Sequence, residues 1–382
     1  STGRTYTITY NGNKEHSRIT SIKDTTADRV VTYAYNGDFQ LVSATSVSGG
    51  TETYEYDKKG KLCKITNCYD EVTDQISYLE HGQVDCLTNA SGLKQVYTYN
   101  KLQKQTGLKE YDKETLVKTF TYNYDEKYAV KTNTVETDGQ TYEVDKITYN
   151  MVDGKNKYDE MSESVDIMGN TTKYVYDCMG RLIQTVCAGM KGETAHLTSY
   201  AWDREGRIVS VTDPLGDIEK YTYDKIGRIH SKVDKDGYTT EIGYNQTGQL
   251  KEVFYGDGRK VNLSYNALRQ LEEVKDWLGT TTFLLDMAGR PLSVTDSTGG
   301  TIGYEWGAMG ERKSVIYPDG KHVDYKYNKA LQLTELIAGD DIVHYEYDMF
   351  GQLVEKKMPG DIKTNYRYNE LGRLDEISYH GA

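Results

Sequence analysis

The sequence predicts an all-β protein, an array of antiparallel β-hairpin repeats of about 21 residues that coils into a spiral β-barrel or hollow shell. Three observations support this prediction. A motif with the consensus YxYDxxGRL recurs at a nearly fixed spacing, and polarity alternates with period two on both sides of it, as in half-buried strands. Tyrosine also far exceeds the other aromatic residues, with 35 Tyr against 5 Phe and 3 Trp.

The repeat is most regular in the second half of the chain. With the Asp or Asn of the motif as a marker, the markers from 203 to 369 are separated by 21, 21, 21, 20, 21, 21, 20 and 21 residues. Candidate markers in the first half, at 11, 36, 57, 79, 100, 125, 150 and 177, are 21 to 27 residues apart. We expect the longer gaps to reflect longer turns on the same scaffold. The motif residues that we predict to build the repeat are Tyr174, Tyr176, Asp177, Gly180, Arg181, Tyr221, Tyr223, Asp224, Gly227, Arg228, Tyr345, Tyr347, Asp348, Gly351, Tyr366, Tyr368, Asn369, Gly372 and Arg373.

Each copy of the motif predicts a hairpin. In the segment 224–227, Asp at the first position and Gly at the fourth are the preferences of a type I turn. A left-handed Gly227 makes this a three-residue loop with a G1 bulge. The resulting register predicts three facing pairs, in which Tyr and an aliphatic residue meet on the buried face and Asp and Arg meet at the loop: Tyr223 with Ile229, Tyr221 with Ser231, and Asp224 with Arg228.

A second turn returns the chain to the next copy, as in 213–216, 234–237, 296–299 and 318–320. Two turns of about four residues and two strands of about six account for the period. Seventeen markers then predict about 34 strands, and open twisted sheets rarely exceed about ten strands before they curl, so we expect the array to coil.

The composition shows no linker, so we predict a single repeat domain over residues 1–382, with irregular repeats in 1–170 and regular repeats in 171–382. The alternative is that the irregular half is a separate binding region. The chain starts without a signal peptide and stops after a strand-like segment. We therefore expect it to be a fragment of a longer protein.

Composition and charge exclude several classes of function. The net charge is −12 and no block of Lys or Arg interrupts the acidic balance, which argues against nucleic acid and anionic membranes as partners. No apolar run approaches the roughly 20 residues that span a bilayer. Tyrosine suits a layer that is apolar through the ring and wet at the hydroxyl. We therefore expect one extended amphipathic layer, with hydroxyls lining a wet interior, instead of a compact core.

The signature YxYDxxGRL at 20 to 21 residues resembles the YD or Rhs repeats of bacterial Rhs polymorphic toxins, wall-associated proteins, the C component of insecticidal toxin complexes and animal teneurins. In that family the repeats wind into a hollow β-shell around a C-terminal toxin or effector. The resemblance implies a non-catalytic shell or scaffold of a secreted or cell-surface protein that encapsulates or presents such a domain. The implied partner is the rest of its own polypeptide or a cell-surface ligand. The DPxG-rich segment that can carry an autoproteolytic aspartate in the family is not found in this sequence.

No catalytic, cofactor-binding or metal-binding residues are predicted, and we expect the chain not to be an enzyme. The sequence contains no HExxH, GxSxG or P-loop motif, and its histidines are scattered, at His16, His81, His196, His230, His322, His344 and His380. Five cysteines without a CxxC pair argue against a disulfide framework or a zinc site, although Cys178 and Cys187 could face each other across one hairpin. Asp-rich turns such as 234–237 match neither an EF-hand nor a nonapeptide calcium repeat.

The main alternative function is a carbohydrate-binding, cell-wall-binding or adhesion module that stacks exposed rows of tyrosine on sugar rings. Aromatic wall-binding repeats favour adjacent Trp-Tyr-Tyr, whereas this chain spaces its tyrosines alternately and contains only 3 Trp. Packing of the tyrosine rows inside the protein is therefore favoured, and exposed ring faces would reverse that interpretation.

Overall fold

The structure, a computed structural model, describes residues 5–12, 17–124, 130–137, 139–152, 155–188, 194–369 and 371–381. The candidate marker at 125 and His16 lie outside these residues. Within them every helix or strand assigned is a strand, and there are 34. This number agrees with two strands for each of the seventeen markers.

The first seventeen strands are β1 (Tyr6–Asn11), β2 (Arg18–Asp24), β3 (Arg29–Tyr35), β4 (Leu41–Thr45), β5 (Thr51–Tyr56), β6 (Leu62–Thr66), β7 (Val72–Tyr78), β8 (Val84–Asn89), β9 (Leu93–Tyr99), β10 (Gln105–Asp112), β11 (Thr115–Tyr124), β12 (Val130–Thr137), β13 (Gln140–Val152), β14 (Lys155–Asp166), β15 (Thr171–Tyr176), β16 (Leu182–Cys187) and β17 (His196–Trp202). The remaining strands are β18 (Ile208–Thr212), β19 (Ile218–Tyr223), β20 (Ile229–Val233), β21 (Thr239–Tyr244), β22 (Leu250–Tyr255), β23 (Lys260–Tyr265), β24 (Leu271–Lys275), β25 (Thr280–Leu285), β26 (Pro291–Thr295), β27 (Thr301–Trp306), β28 (Arg312–Ile316), β29 (His322–Tyr327), β30 (Leu333–Ala338), β31 (Asp341–Tyr347), β32 (Leu353–Met358), β33 (Ile362–Tyr368) and β34 (Leu374–His380).

The strands form one open antiparallel sheet, in which consecutive strands along the chain are hydrogen-bonded neighbours. Short Gly- and Asp-containing turns join them, because such turns let an antiparallel strand follow its partner directly. The predicted all-β array of antiparallel hairpin repeats is confirmed.

The chain divides into two compact units. The first contains residues 1–97, 109–117 and 263–382, and the second contains 98–108 and 118–262. The division into irregular repeats in 1–170 and regular repeats in 171–382 stays a prediction.

Irregular strand lengths are confined to one stretch, β10 to β14. These strands have 8 to 13 residues, whereas β19 and β20 in a regular repeat have 6 and 5. The expectation that longer gaps reflect longer turns is therefore wrong here. The extra residues lengthen paired neighbours together, and the candidate marker at 150 lies inside β13 instead of at a turn.

Half-buried and exposed side chains alternate in strands such as β19, whereas every residue of β18 is half-buried. In β19, Glu219, Tyr221 and Tyr223 are half-buried, and the residues that alternate with them are exposed, as expected for side chains that point to opposite faces of a strand. Among the described residues the buried hydrophobic side chains are Leu93, Val135 and Val315. Few hydrophobic side chains in the described part of the chain are thus buried, and the extended amphipathic layer of tyrosines stays a prediction.

Candidate functional site

Each repeat contains two turns, and the one that carries the motif Asp or Asn is called the YD turn. The other, which leads to the next repeat, is called the return turn. In the hairpin of β19 and β20, the Asp224 amide donates to the Arg228 carbonyl at 2.8 Å, and the Gly227 amide donates to the Asp224 carbonyl at 3.0 Å. Gly227 has φ +88°. The loop is therefore the three-residue type with a left-handed glycine that the motif predicts.

The Asp224 carboxylate holds this loop together. Its Oδ1 accepts from the amides of Ile226 and Arg228, both at 3.0 Å, and its Oδ2 accepts from Arg228 Nε at 2.7 Å. The hydrogen bond from the Arg228 amide is the main cause of an Asp224 pKa below its ordinary value of 3.8. Asp177, Asp203 and Asp286 hold Arg181, Arg207 and Arg290 in the same way.

The register of this hairpin is partly as predicted. Tyr223 faces Ile229, but Tyr221 faces Lys232, not Ser231. The reason is a β-bulge, in which the extra residue His230 on β20 shifts the pairing by one position. Comparable shifts occur next to the YD turn in other repeats, for example between Ala201 and Trp202 on β17 and between Arg367 and Tyr368 on β33, the strands that lead into their turns.

The second tyrosine of the motif bonds to the bulged strand of the preceding repeat. The Tyr223 hydroxyl donates to the Ile208 carbonyl at 2.5 Å, directly before the bulge on β18. The same bond, between side chain and carbonyl, is made by Tyr35, Tyr56, Tyr78, Tyr244, Tyr327 and Tyr368, and by the indole nitrogens of Trp202 and Trp306. Phenylalanine has no such donor. The hydrogen bond to the carbonyl therefore explains the scarcity of phenylalanine better than the expectation that tyrosine hydroxyls line a wet interior.

The first tyrosine of the motif has another kind of partner. The Tyr221 hydroxyl donates to Glu219 Oε2 at 2.7 Å, and the Tyr54 hydroxyl donates to Glu52 Oε2 at 2.8 Å. Loss of solvation and this carboxylate raise the pKa of Tyr54 to about 12. The hydroxyls of Tyr54 and Tyr221, whose pKa values are both raised, therefore stay protonated and neutral at physiological pH.

The last polar residue of the motif reaches forward to the next repeat. The guanidinium carbon of Arg228 lies 4.1 Å from the centre of the Tyr244 ring, and that of Arg207 lies 4.6 Å from the Tyr223 ring. Where this position is glutamine, the amide makes the link, since Gln352 Nε2 donates to the Gly372 carbonyl at 2.8 Å. Neighbouring YD turns are thus joined side by side.

The structure distributes the predicted residues along the array instead of gathering them at one point. The motif tyrosines 174, 176, 221, 223, 345, 347, 366 and 368 are all half-buried. Gly180, Gly351 and Gly372 repeat the left-handed conformation of Gly227, and Asp348 and Asn369 repeat the carboxylate or amide bonds of Asp224 to the loop. The role of these residues and of Arg373 in stabilising the array stays a prediction. The sequence did not reveal the bonds between repeats, although the separation of 15 or 16 residues between Tyr and the preceding Leu or Ile was a signal that could have done so.

The structure also locates the cysteines and the Asp-rich turns that the sequence analysis considered as a disulfide pair and as calcium ligands. Cys187 faces Thr172 and not Cys178, which lies in the YD turn. All five cysteines are free. Asp234 Oδ1 accepts from the amides of Asp236 and Tyr238, at 3.0 and 2.9 Å, so turn formation accounts for it. In the described part of the chain no group of three or more His, Cys, Asp or Glu is placed to hold a metal, and no helix there is long and apolar enough to cross a membrane.

Comparison with known proteins places this geometry in context. The family model of the teneurin YD-shell matches residues 214–349. Over 104 residues the chain is 33% identical to double-stranded DNA deaminase toxin A of Burkholderia cenocepacia (strain H111). This match covers 27% of this chain and 7% of that toxin. The matched toxin is thus far longer than this chain.

Three solved structures share the fold. The crystal structure of TcdB2-TccC3-Cdc42 has a TM-score of 0.65 at 11% identity and covers 99% of this chain and 25% of that chain. TcdB2-TccC3 without its hypervariable C-terminal region has a TM-score of 0.66 at 11% identity, with 99% and 24% covered. The Photorhabdus luminescens Tc holotoxin pore has a TM-score of 0.55 at 10% identity, with 98% and 28% covered. The match to the family model and the shared fold support the assignment of this chain to the Rhs/YD-repeat family, and its fold matches that of Rhs/YD shells.

Proposed function

We propose that this chain is part of the wall of a protein shell that encloses or presents a toxin or effector domain of its own, longer polypeptide. The YD-shell and toxin-complex matches support a structural shell of toxin-type proteins. The proposed partner is the remainder of the polypeptide, and the proposed location is outside the producing cell or at its surface.

The observation that carries the proposal is the joining of each repeat to its neighbour. The Tyr223 hydroxyl binds the preceding repeat, and the Arg228 guanidinium covers the aromatic ring of the following one. Repeating a hydrogen bond together with a cation–π contact, or with an amide link where the motif has glutamine, supports a single-layer sheet that has no second layer packed on it. A thin, self-supporting layer is what a container wall requires.

The use of tyrosine argues against a carbohydrate-binding module. The motif rings are half-buried, one face of Tyr223 and Tyr244 is covered by an arginine, and their hydroxyls are bonded to main-chain carbonyls. A sugar-binding row needs free ring faces. The rows of this motif therefore serve packing.

Limited proteolysis of the longer natural polypeptide tests the proposal. We expect its effector domain to resist protease in the intact protein and to be cleaved readily when produced alone. Substitutions that weaken the wall, such as Tyr223→Phe combined with Tyr244→Phe, should restore cleavage. Exposed Tyr238, which is 64% accessible, supplies the matched control Tyr238→Phe. Equal cleavage of the domain with and without the repeats would show that they do not enclose it.

A further inference from the structure

One YD turn departs from the motif at two positions at once. Between β27 and β28, Gly307 stands in place of the usual Asp or Asn, and Glu311 stands in place of the usual Arg, Lys or Gln. The turn itself is unchanged, since the Gly307 amide donates to the Glu311 carbonyl at 2.7 Å and Gly310 has φ +92°. An acidic side chain thus occupies a position that elsewhere supplies a hydrogen-bond donor.

The two departures are structurally coupled. Glu311 Oε2 accepts from the Met309 amide at 3.1 Å, the bond that Asp224 Oδ1 makes to the Ile226 amide in a regular turn. A Cβ atom at position 307 would overlap the Glu311 carboxylate. Glycine at 307 therefore makes room for the carboxylate of Glu311 to take over the role of the missing Asp.

This exchange frees the other oxygen of Glu311 for a distant contact within the first compact unit. The Tyr69 hydroxyl donates to Glu311 Oε1, and the Ala308 amide donates to the Tyr69 hydroxyl at 3.1 Å. Tyr69 lies in the return turn between β6 and β7, where the Asn67 amide donates to the Glu71 carbonyl at 2.9 Å. Residues 242 positions apart in sequence are joined in this way.

The neighbouring turns meet along the same line. Ser48 Oγ donates to the Ala308 carbonyl at 3.1 Å, and a Cβ atom at Gly50 would lie 2.7 Å from that oxygen. The return turn at 67–71 also contacts a second YD turn, at 328–332, because Glu71 pairs with Lys329. Four return turns meet four YD turns in sequence, through the pairs Arg29 with Met287, Ser48 with Ala308, Glu71 with Lys329, and Ser91 with Met349. Three of these pairs contact a main-chain carbonyl, which every turn offers, so they do not by themselves distinguish one turn from the next.

We propose that Gly307 and Glu311 form a clasp with Tyr69 that holds the YD turn at 307–311 between the return turns at 46–50 and 67–71, and so fixes the alignment of return turns with YD turns in the first unit. In a regular turn the Asp and Arg side chains satisfy each other. Here the carboxylate is left without an arginine and takes the tyrosine of a distant turn instead. Tyr69 and Glu311 are positioning residues, and the proposal does not depend on what the shell contains.

Hydrogen exchange measured by mass spectrometry on the purified chain tests the clasp. The double substitution Gly307→Asp with Glu311→Arg restores the motif. Because φ at 307 is not in the left-handed region, an aspartate fits there without backbone strain. The local turn should therefore keep its Gly310 amide protected from exchange. We expect exchange in 67–71 to rise about tenfold, the effect of losing one hydrogen bond to a charged group. Tyr69→Phe should raise it comparably and also expose the Ala308 amide. Combining all three substitutions should add little, because both changes break the same contact.

The control is Tyr317→Phe, since Tyr317 lies in a return turn and is 43% exposed, as Tyr69 is; this variant should exchange like the parent chain. If the restored motif does not fold, Tyr69→Phe alone decides the question. Unchanged exchange in 67–71 for either variant, or additive effects in the combination, would overturn the clasp.

Discussion

Removing one tyrosine hydroxyl tests how repeats are joined. Tyr223→Phe deletes the donor that reaches the Ile208 carbonyl at 2.5 Å and leaves the ring in place. Both residues are half-buried, so the freed carbonyl regains only part of its hydration. A lost hydrogen bond with partial desolvation costs about 1 to 1.5 kcal/mol. This corresponds to a roughly tenfold increase in local opening.

The assay is native-state hydrogen exchange, because in a repeat array a weakened contact is felt mainly by its immediate neighbours. We expect faster exchange in 208–212 and 218–223, with little change in 345–353. Tyr238→Phe provides the control, since this residue is 64% exposed in a return turn. If Tyr223→Phe and Tyr238→Phe have the same effect, the hydroxyl bond does not join the repeats and the reasoning fails.

Three further predictions concern the YD turn. Gly227→Ala should destabilise its hairpin by about 1 kcal/mol because φ at this glycine is +88°. Gly37→Ala, at a turn position without positive φ, should not destabilise its hairpin and serves as the control. Equal local hydrogen exchange in the two variants would contradict the loop assignment. Arg228→Gln should cost about 0.5 to 1 kcal/mol through loss of the contact with the Tyr244 ring and of the bond from Arg228 Nε to Asp224, and an unchanged urea midpoint would argue that these two contacts together are neutral. Because the pKa of Asp224 and of other turn aspartates is lowered by folding, the folded state binds fewer protons than the unfolded chain. The free energy of unfolding should therefore hold at pH values above 3.8, the ordinary pKa of aspartate, and fall as the pH drops below it. Urea midpoints at pH 7, 4 and 3 test this, and equal midpoints at pH 7 and 3 would refute it.

Much of the hairpin followed from local chemistry. Asp224 and Gly227 predict the loop because a carboxylate can accept amides within its own turn and glycine tolerates positive φ. The pairing of Tyr223 with Ile229 followed from that loop. These features depend on residues within a few positions of one another, which is why the sequence was sufficient.

The features that the sequence missed depend on bulges or on distant residues. The bulge at His230 moves Tyr221 opposite Lys232, and no turn rule predicts it. The bond from Tyr223 to Ile208 follows from the side-by-side placement of two hairpins, and the contact of Tyr69 with Glu311 joins residues 242 positions apart. The departure of Gly307 and Glu311 from the motif was visible in the sequence, but only the structure shows what the freed carboxylate contacts.

Electron cryomicroscopy of the natural polypeptide that carries these repeats can show whether they form the wall of a container, as proposed. We expect density for the repeats as a continuous single-layer sheet, with density of the effector domain enclosed by it. A sheet with a solvent-filled interior and an effector domain attached outside would contradict the claim.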